Sequence, residues 1–176
     1  MKEGRGFLRR PHQDREDLIG EHALSDIGQL IFLVIFFSVW IADSFVFKFS
    51  TFLTQYISNY IRIPISVIAF IIAGYLAQKG MNTVFAEKRE SPQVITNGVF
   101  SIVRHPIYLA AMLLYSGFIF LSLSLLSILV WIFIIVFYYQ ISRYEERLLI
   151  KKFGSAYIDY MKKVPMFFPI KRIKGQ

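Results

Sequence analysis

Two short stretches carry side chains that could do chemistry together. The first, "SIVRHPIYLAA" (101–111), sets Arg104, His105 and Tyr108 around Pro106 where an apolar run begins. The second, "YYQISRYEERLLIKKFG" (138–154), sets Arg143, Glu145 and Glu146 where an apolar run ends. Pro106 suits a first helical position, where φ is already helical and a missing N–H costs nothing. Arg104 and His105 then stand at the positive end of a helix dipole, beside unpaired backbone N–H groups, with Tyr108 one turn further on. A cation there calls for an anionic partner, which a ligand could supply. Adjacent glutamates beside an apolar run are costly unless paired or bound to a cationic ligand. Brought together, these groups make a pocket with both signs of charge and an aromatic lining, which suits a zwitterion. The plainer reading is a pair of Arg–Glu salt bridges, with Arg104 anchored on lipid phosphate and His105 a capping residue.

The elements that must position these groups follow from composition. The chain has 176 residues, 55% hydrophobic and 17% aromatic, with only 18% charged. One soluble core of this size cannot bury so much apolar surface, so the bilayer is the expected solvent. Three tracts are poor in charge: 27–47, broken only by Asp43; 63–78, with Arg62 placed to snorkel from its end; and 107–141, with no charge at all. A single helix over 107–141 would be about 52 Å long at 1.5 Å per residue, against a hydrocarbon core of roughly 30 Å. The run must fold back, with Leu121–Ser124 the expected turn and Ser116–Gly117 the other choice. The fold class expected is thus an all-α integral membrane protein with four transmembrane helices. The last two form a tight hairpin, which returns Arg143 and Glu146 to the level of Arg104 and His105.

Beyond the fourth span, apolar residues recur at 141, 144, 148, 153, 157, 160 and 164 with charges between them. That spacing predicts an amphipathic helix on the cytoplasmic face, with a break near Gly154. Net charge is +8, and the basic residues crowd the segment before the first span, the 79–105 loop and the tail from 142. This alternation puts both termini and the Arg104–His105 junction in the cytoplasm. The same placement favours a membrane over nucleic acid as the partner of the basic charge. Asp26 is expected to cap the first span, and Asp43 to sit hydrated near that span's outer end, though an acid within a span is also a functional candidate. Residues 1–26 are too long and polar for a signal peptide and form an N-terminal cytoplasmic segment. The first two spans occupy 27–80, the functional core 81–170, and a basic tail 171–176. There is no cysteine, which removes thiolate chemistry, and His12 and His22 read as surface residues with no metal-ligand spacing.

The ordered set Gly98, Phe100, Arg104, His105, Pro106, Tyr108, Glu145, Glu146, Phe153, Gly154, Tyr157, Tyr160, Val164 and Pro165 resembles the isoprenylcysteine carboxyl methyltransferase family and its phospholipid methyltransferase relatives. The resemblance covers roughly 90–170. It implies S-adenosylmethionine as cofactor, with S-adenosylhomocysteine as product. Contacts would come from His105, Tyr108, Glu145 and above all Glu146, and from the backbone around Val94 and Gly98. It implies a lipophilic methyl acceptor entering from the bilayer, oriented by Arg104 and Arg143. A carboxylate acceptor needs no base, whereas an amine or hydroxyl does. Ala110 stands where the family often has Gly, and Met166 where many members have a basic residue. A phospholipid or other N- or O-methyl acceptor is the alternative. A sterol-reductase-like protein binding NADPH, or a relative without catalysis, remains a further class.

Overall fold

The computed structural model describes residues 23–86 and 93–168. Within them every regular element is helical: α1 (Ala23–Ile41), α2 (Asn59–Met81), α3 (Pro106–Ser122), α4 (Leu125–Phe153) and α5 (Ser155–Lys163), with short π and 3-10 turns between. Residues 1–22 of the expected N-terminal segment, with His12 and His22, residues 87–92 of the loop before α3, and the 171–176 tail lie outside the described residues; 23–26 of that segment already belong to α1.

Three helical stretches are long and apolar enough to cross a membrane: Ile27–Phe47, Asn59–Val84 and Leu125–Phe153. α3 has only 17 residues, about 26 Å of helix against a hydrocarbon core of about 30 Å. Large apolar side chains such as Leu30, Ile31, Ile68, Ile71 and Phe133 face outward, as lipid rather than water requires. This is the architecture of a membrane protein. Its interior holds aromatic rings, with Phe36 wholly buried against Tyr115 at 4.6 Å between centroids. Indole N–H groups at this depth find carbonyls: Trp40 donates to Phe118 O and Trp131 to Met112 O, each at 2.9 Å.

The charge-free run folds back at the expected place. α3 ends at Ser122, Leu123 takes a left-handed conformation (φ 49°), and Ser124 caps α4 by accepting from the Ser127 N–H at 3.1 Å. α2 and α3 run antiparallel and touch through glycine. A Cβ on Gly80 would meet Ile107 at 2.8 Å, and one on Gly117, ten residues further along α3, would meet the Phe70 ring at 2.4 Å. A Cβ on Gly28 of α1 would likewise meet the Phe137 ring of α4 at 2.3 Å. Small residues at such crossings let membrane helices pack closely where no hydrophobic drive exists between them.

Several expectations change. Asp26 is not a cap, because helical backbone already runs through Ala23–Ser25. Asp43 is not hydrated but buried. It accepts from the Ser50 N–H at 2.9 Å and from the Ser50 and Ser124 hydroxyls at 2.5 Å each, which ties α1 to the start of α4. Arg62 turns to the end of α3, where Nη1 donates to Leu121 O at 2.5 Å. No separate amphipathic helix starts at 141. α4 continues unbroken to Phe153, since no residue before Gly154 opposes helix, and α5 follows after Gly154 at φ +56°.

Candidate active site

The loop before α3 is shaped by Gly98, whose φ of +58° is open to glycine at little cost. It opens a 3-10 turn through Ser101, and buried Val99 and Val103 anchor that turn to the core. The segment after α5 then runs alongside. Arg104 N–H donates to Pro165 O at 2.9 Å and His105 N–H to Met166 O at 3.2 Å. Tyr160 OH donates to Phe100 O at 2.6 Å. Pro106 takes the first helical position of α3, while the His105 side chain makes no capping bond.

The side chains of the two motifs converge as the fold-back requires. Arg104 donates through Nε to Glu146 Oε1 at 2.7 Å and through Nη1 to the carbonyls of Met161 (3.0 Å) and Val164 (2.6 Å). The His105 ring lies between both glutamates: Nδ1 is 3.5 Å from Glu145 Oε2 and Nε2 is 3.4 Å from Glu146 Oε1. It stacks on Tyr108, with centroids 5.7 Å apart and planes 8° from parallel, and Tyr108 OH donates to Glu145 Oε1. Behind them Tyr138 packs on Tyr108 at 5.1 Å. Burial pushes the Tyr157 and Tyr160 hydroxyls far above the usual phenol range, the Glu146 charge adding to it in both. Both are neutral donors at any ordinary pH.

Two cavities meet at this cluster. The larger, about 360 Å³, is walled by Gln29 of α1, Met81 and Val84 at the end of α2, Phe100, the stretch 104–108, and Glu145. The smaller, about 150 Å³, is walled by Gln93, Val94 and Ile95, by Leu149 and Phe153, and by Tyr157 and Tyr160. Phe100, Arg104, His105 and Glu145 line both. Of the expected site residues, Arg104, His105, Tyr108 and Glu145 are thus brought to cavity walls, and Val94 lines the smaller one. Glu146 is buried beneath Arg104 and His105 and lines neither. Arg143 is exposed on α4 and lines neither. Gly98 shapes the loop without lining a cavity. Sequence reasoning missed Gln29, whose only signal is a carboxamide within an apolar span, and the role of the 164–167 segment.

Two carboxylates face one guanidinium and one imidazole here. Aromatic faces and two carboxylates favour a ligand carrying a positive centre. Among the described residues no group of acidic, His or Cys side chains could hold a metal ion.

The fold and this site define a helical membrane protein with a polar, aromatic-walled ligand site at one end of its bundle. The chain belongs to the phospholipid methyltransferase family, which residues 65–156 match. It is similar to the Protein-S-isoprenylcysteine O-methyltransferase of Saccharomyces cerevisiae, 35% identical over 100 residues, covering 56% of this chain and 42% of that protein. To the protein of the same name from Schizosaccharomyces pombe it is 30% identical over 139 residues, covering 70% of this chain and 56% of that protein. The chain spans about half the length of these curated relatives.

Proposed function

We propose that this chain is a membrane-embedded S-adenosylmethionine-dependent methyltransferase, and that it methylates the carboxylate of a lipophilic, isoprenylcysteine-like acceptor. The observation that carries the reading is the convergence of Arg104, His105, Tyr108 and Glu145 on two joined cavities, inside the stretch matched to the methyltransferase family. The relatives' names supply the acceptor class. The residues present fit the cofactor. The two carboxylates, the ring faces of Tyr108 and His105, and the space over the shared Arg104–His105–Glu145 wall, from the smaller cavity into the larger, suit a cationic ligand of nucleoside size and leave the α1 end of the larger cavity to the acceptor.

When bound, the cofactor supplies an activated methyl group on a sulfonium. The protein's part is to hold, orient and dry the reactants. Glu145 accepts from the cofactor's hydroxyl or ammonium donors, and His105 orients Glu145. The Tyr108 ring would offer its face to a positive centre, and the backbone around Val94–Gly98 would serve the cofactor's polar groups. Glu146 and Arg104 hold this arrangement from beneath. Arg104 therefore acts as a positioning residue, and Arg143 has no part in the site. A carboxylate oxygen is already nucleophilic, so no side chain need take a proton; positioning and exclusion of water do the work.

In the membrane, α3 serves as a fourth, short span paired with α4, and the charge distribution supports a site and termini that face the cytoplasm. An amine acceptor is the second reading, favoured by the two carboxylates of the cluster. Purified protein in detergent should bind S-adenosylhomocysteine in calorimetry and transfer labelled methyl to an N-acetyl-S-prenylcysteine. Absence of S-adenosylhomocysteine binding overturns the methyltransferase reading. Transfer to a lipid amine but not to the carboxylate replaces the acceptor.

A further inference from the structure

The larger cavity has one wall that lies outside the family match. Residues 65–156 supply Met81, Val84, Phe100, Arg104–Tyr108 and Glu145, whereas α1 supplies Gln29. The neighbours of Gln29 on α1 are closely packed. Gly28 lets α1 press against the Phe137 ring, which a Cβ would meet at 2.3 Å, and Phe32 packs on the same ring at 4.8 Å. On the far side, Gly80 lets α2 close on Ile107. Around Gln29, Ile27, Leu30 and Ile31 of α1 face outward to lipid. Among the described residues Gln29 thus stands on the cavity wall amid lipid-facing side chains, and the shared Arg104–His105–Glu145 wall leads on to the polar connection at 93–95.

We infer that Gln29 is the specificity-determining residue for the methyl acceptor. Its carboxamide N–H donates to the carboxylate of a lipophilic acid whose apolar tail lies between α1 and the end of α2. The inference rests on the methyltransferase reading above. Two other donors on this wall already serve the protein: Arg104 gives Nε and Nη1 to Glu146 and two carbonyls, and Tyr108 gives its hydroxyl to Glu145. A carboxamide carries two donors and an acceptor, so it can serve the acceptor and a protein neighbour at once. A neutral donor also has a chemical advantage over a cation. It orients a carboxylate without the full ion pair that would lower the oxygen's nucleophilicity before attack. The region shared with the family thus holds the donor half of the reaction, and α1 sets which acceptor is taken.

The test compares wild type with Gln29→Glu and Gln29→Leu in detergent. It measures S-adenosylhomocysteine affinity by calorimetry. With that product bound, it also measures the affinity for an N-acetyl-S-prenylcysteine and for its methyl ester. Gln29→Glu should weaken binding of the free acid at least tenfold, by placing like charge opposite its carboxylate. Gln29→Leu should weaken it about fivefold. Neither should change S-adenosylhomocysteine affinity more than twofold, and neither should discriminate against the methyl ester. In turnover the loss should fall on KM for the acceptor rather than on kcat. Acid affinity within twofold of wild type in Gln29→Glu overturns the inference, as does an equal loss for acid and ester. Failure of wild type to bind S-adenosylhomocysteine overturns the methyltransferase reading itself, and this inference with it.

Discussion

Arg104 Nε stands 2.7 Å from Glu146 Oε1, across 42 residues of sequence, and both side chains are nearly excluded from solvent. Arg104 is held further by the carbonyls of Met161 and Val164, so a single guanidinium joins α4, α5 and the loop before α3. Its neighbour Glu145, next along the chain, faces the cavities instead.

The two glutamates should therefore fail differently. Glu146→Gln leaves Arg104 buried without a countercharge and should cost about 3–5 kcal/mol of stability. Glu145→Gln should leave thermal unfolding in detergent close to wild type and weaken S-adenosylhomocysteine by about 1.5–3 kcal/mol, the scale of a charged hydrogen bond. Calorimetry and thermal melts on both variants separate the roles. A stable Glu146→Gln with a weakened ligand would reverse them.

Arg104→Lys keeps the charge but loses the planar fork that serves Glu146 and two carbonyls together. Stability should fall by about 2–3 kcal/mol. The link between α5 and the α3 loop should loosen, so trypsin should cut faster at the exposed Lys162 and Lys163. Unchanged cleavage would mean that the carbonyl contacts do not hold this segment.

Helix crossings give a paired control. Gly117→Ala places a methyl about where the Phe70 ring lies, 2.4 Å from its nearest atom, and should cost about 1–3 kcal/mol. Gly74→Ala meets nothing within 4 Å and should be neutral or stabilising by up to about 1 kcal/mol. Thermal melts of the two variants should move apart.

Topology can be read with single cysteines, because the chain has none of its own. Cysteines at Lys2, Lys88 and Lys174 should react in cells only with a permeant reagent. One at Lys48, exposed after the first span, should react with an impermeant one. Labelling of position 88 from outside would invert the proposed orientation.

Much of the frame was legible because it follows from lengths. A charge-free run of 107–141 is too long for one crossing, and its turn falls where Ser124 can cap the next helix. Asp43 was misread because its burial is completed by Ser124, 81 residues away, together with nearby Ser50, and no local pattern announces the distant half of that contact. Glu145 and Glu146 were both legible as candidates, but not which one faces the cavities. Neighbours on a helix point about 100° apart, and only packing decides which of them turns inward. Gln29 was silent for a related reason: a lone carboxamide in an apolar span shows its use only when another helix end closes against it.

The pairing of Arg104 and His105 with the carbonyls of Pro165 and Met166 also sets an order of events in synthesis. A chain emerging at about 5–20 residues per second presents its spans to the membrane first. The loop before α3 reaches its final form only when residues 160–167 arrive to close on it. The site is therefore among the last parts of the fold to form, and a nascent chain halted ahead of that segment would carry its apolar helices without a completed loop before α3.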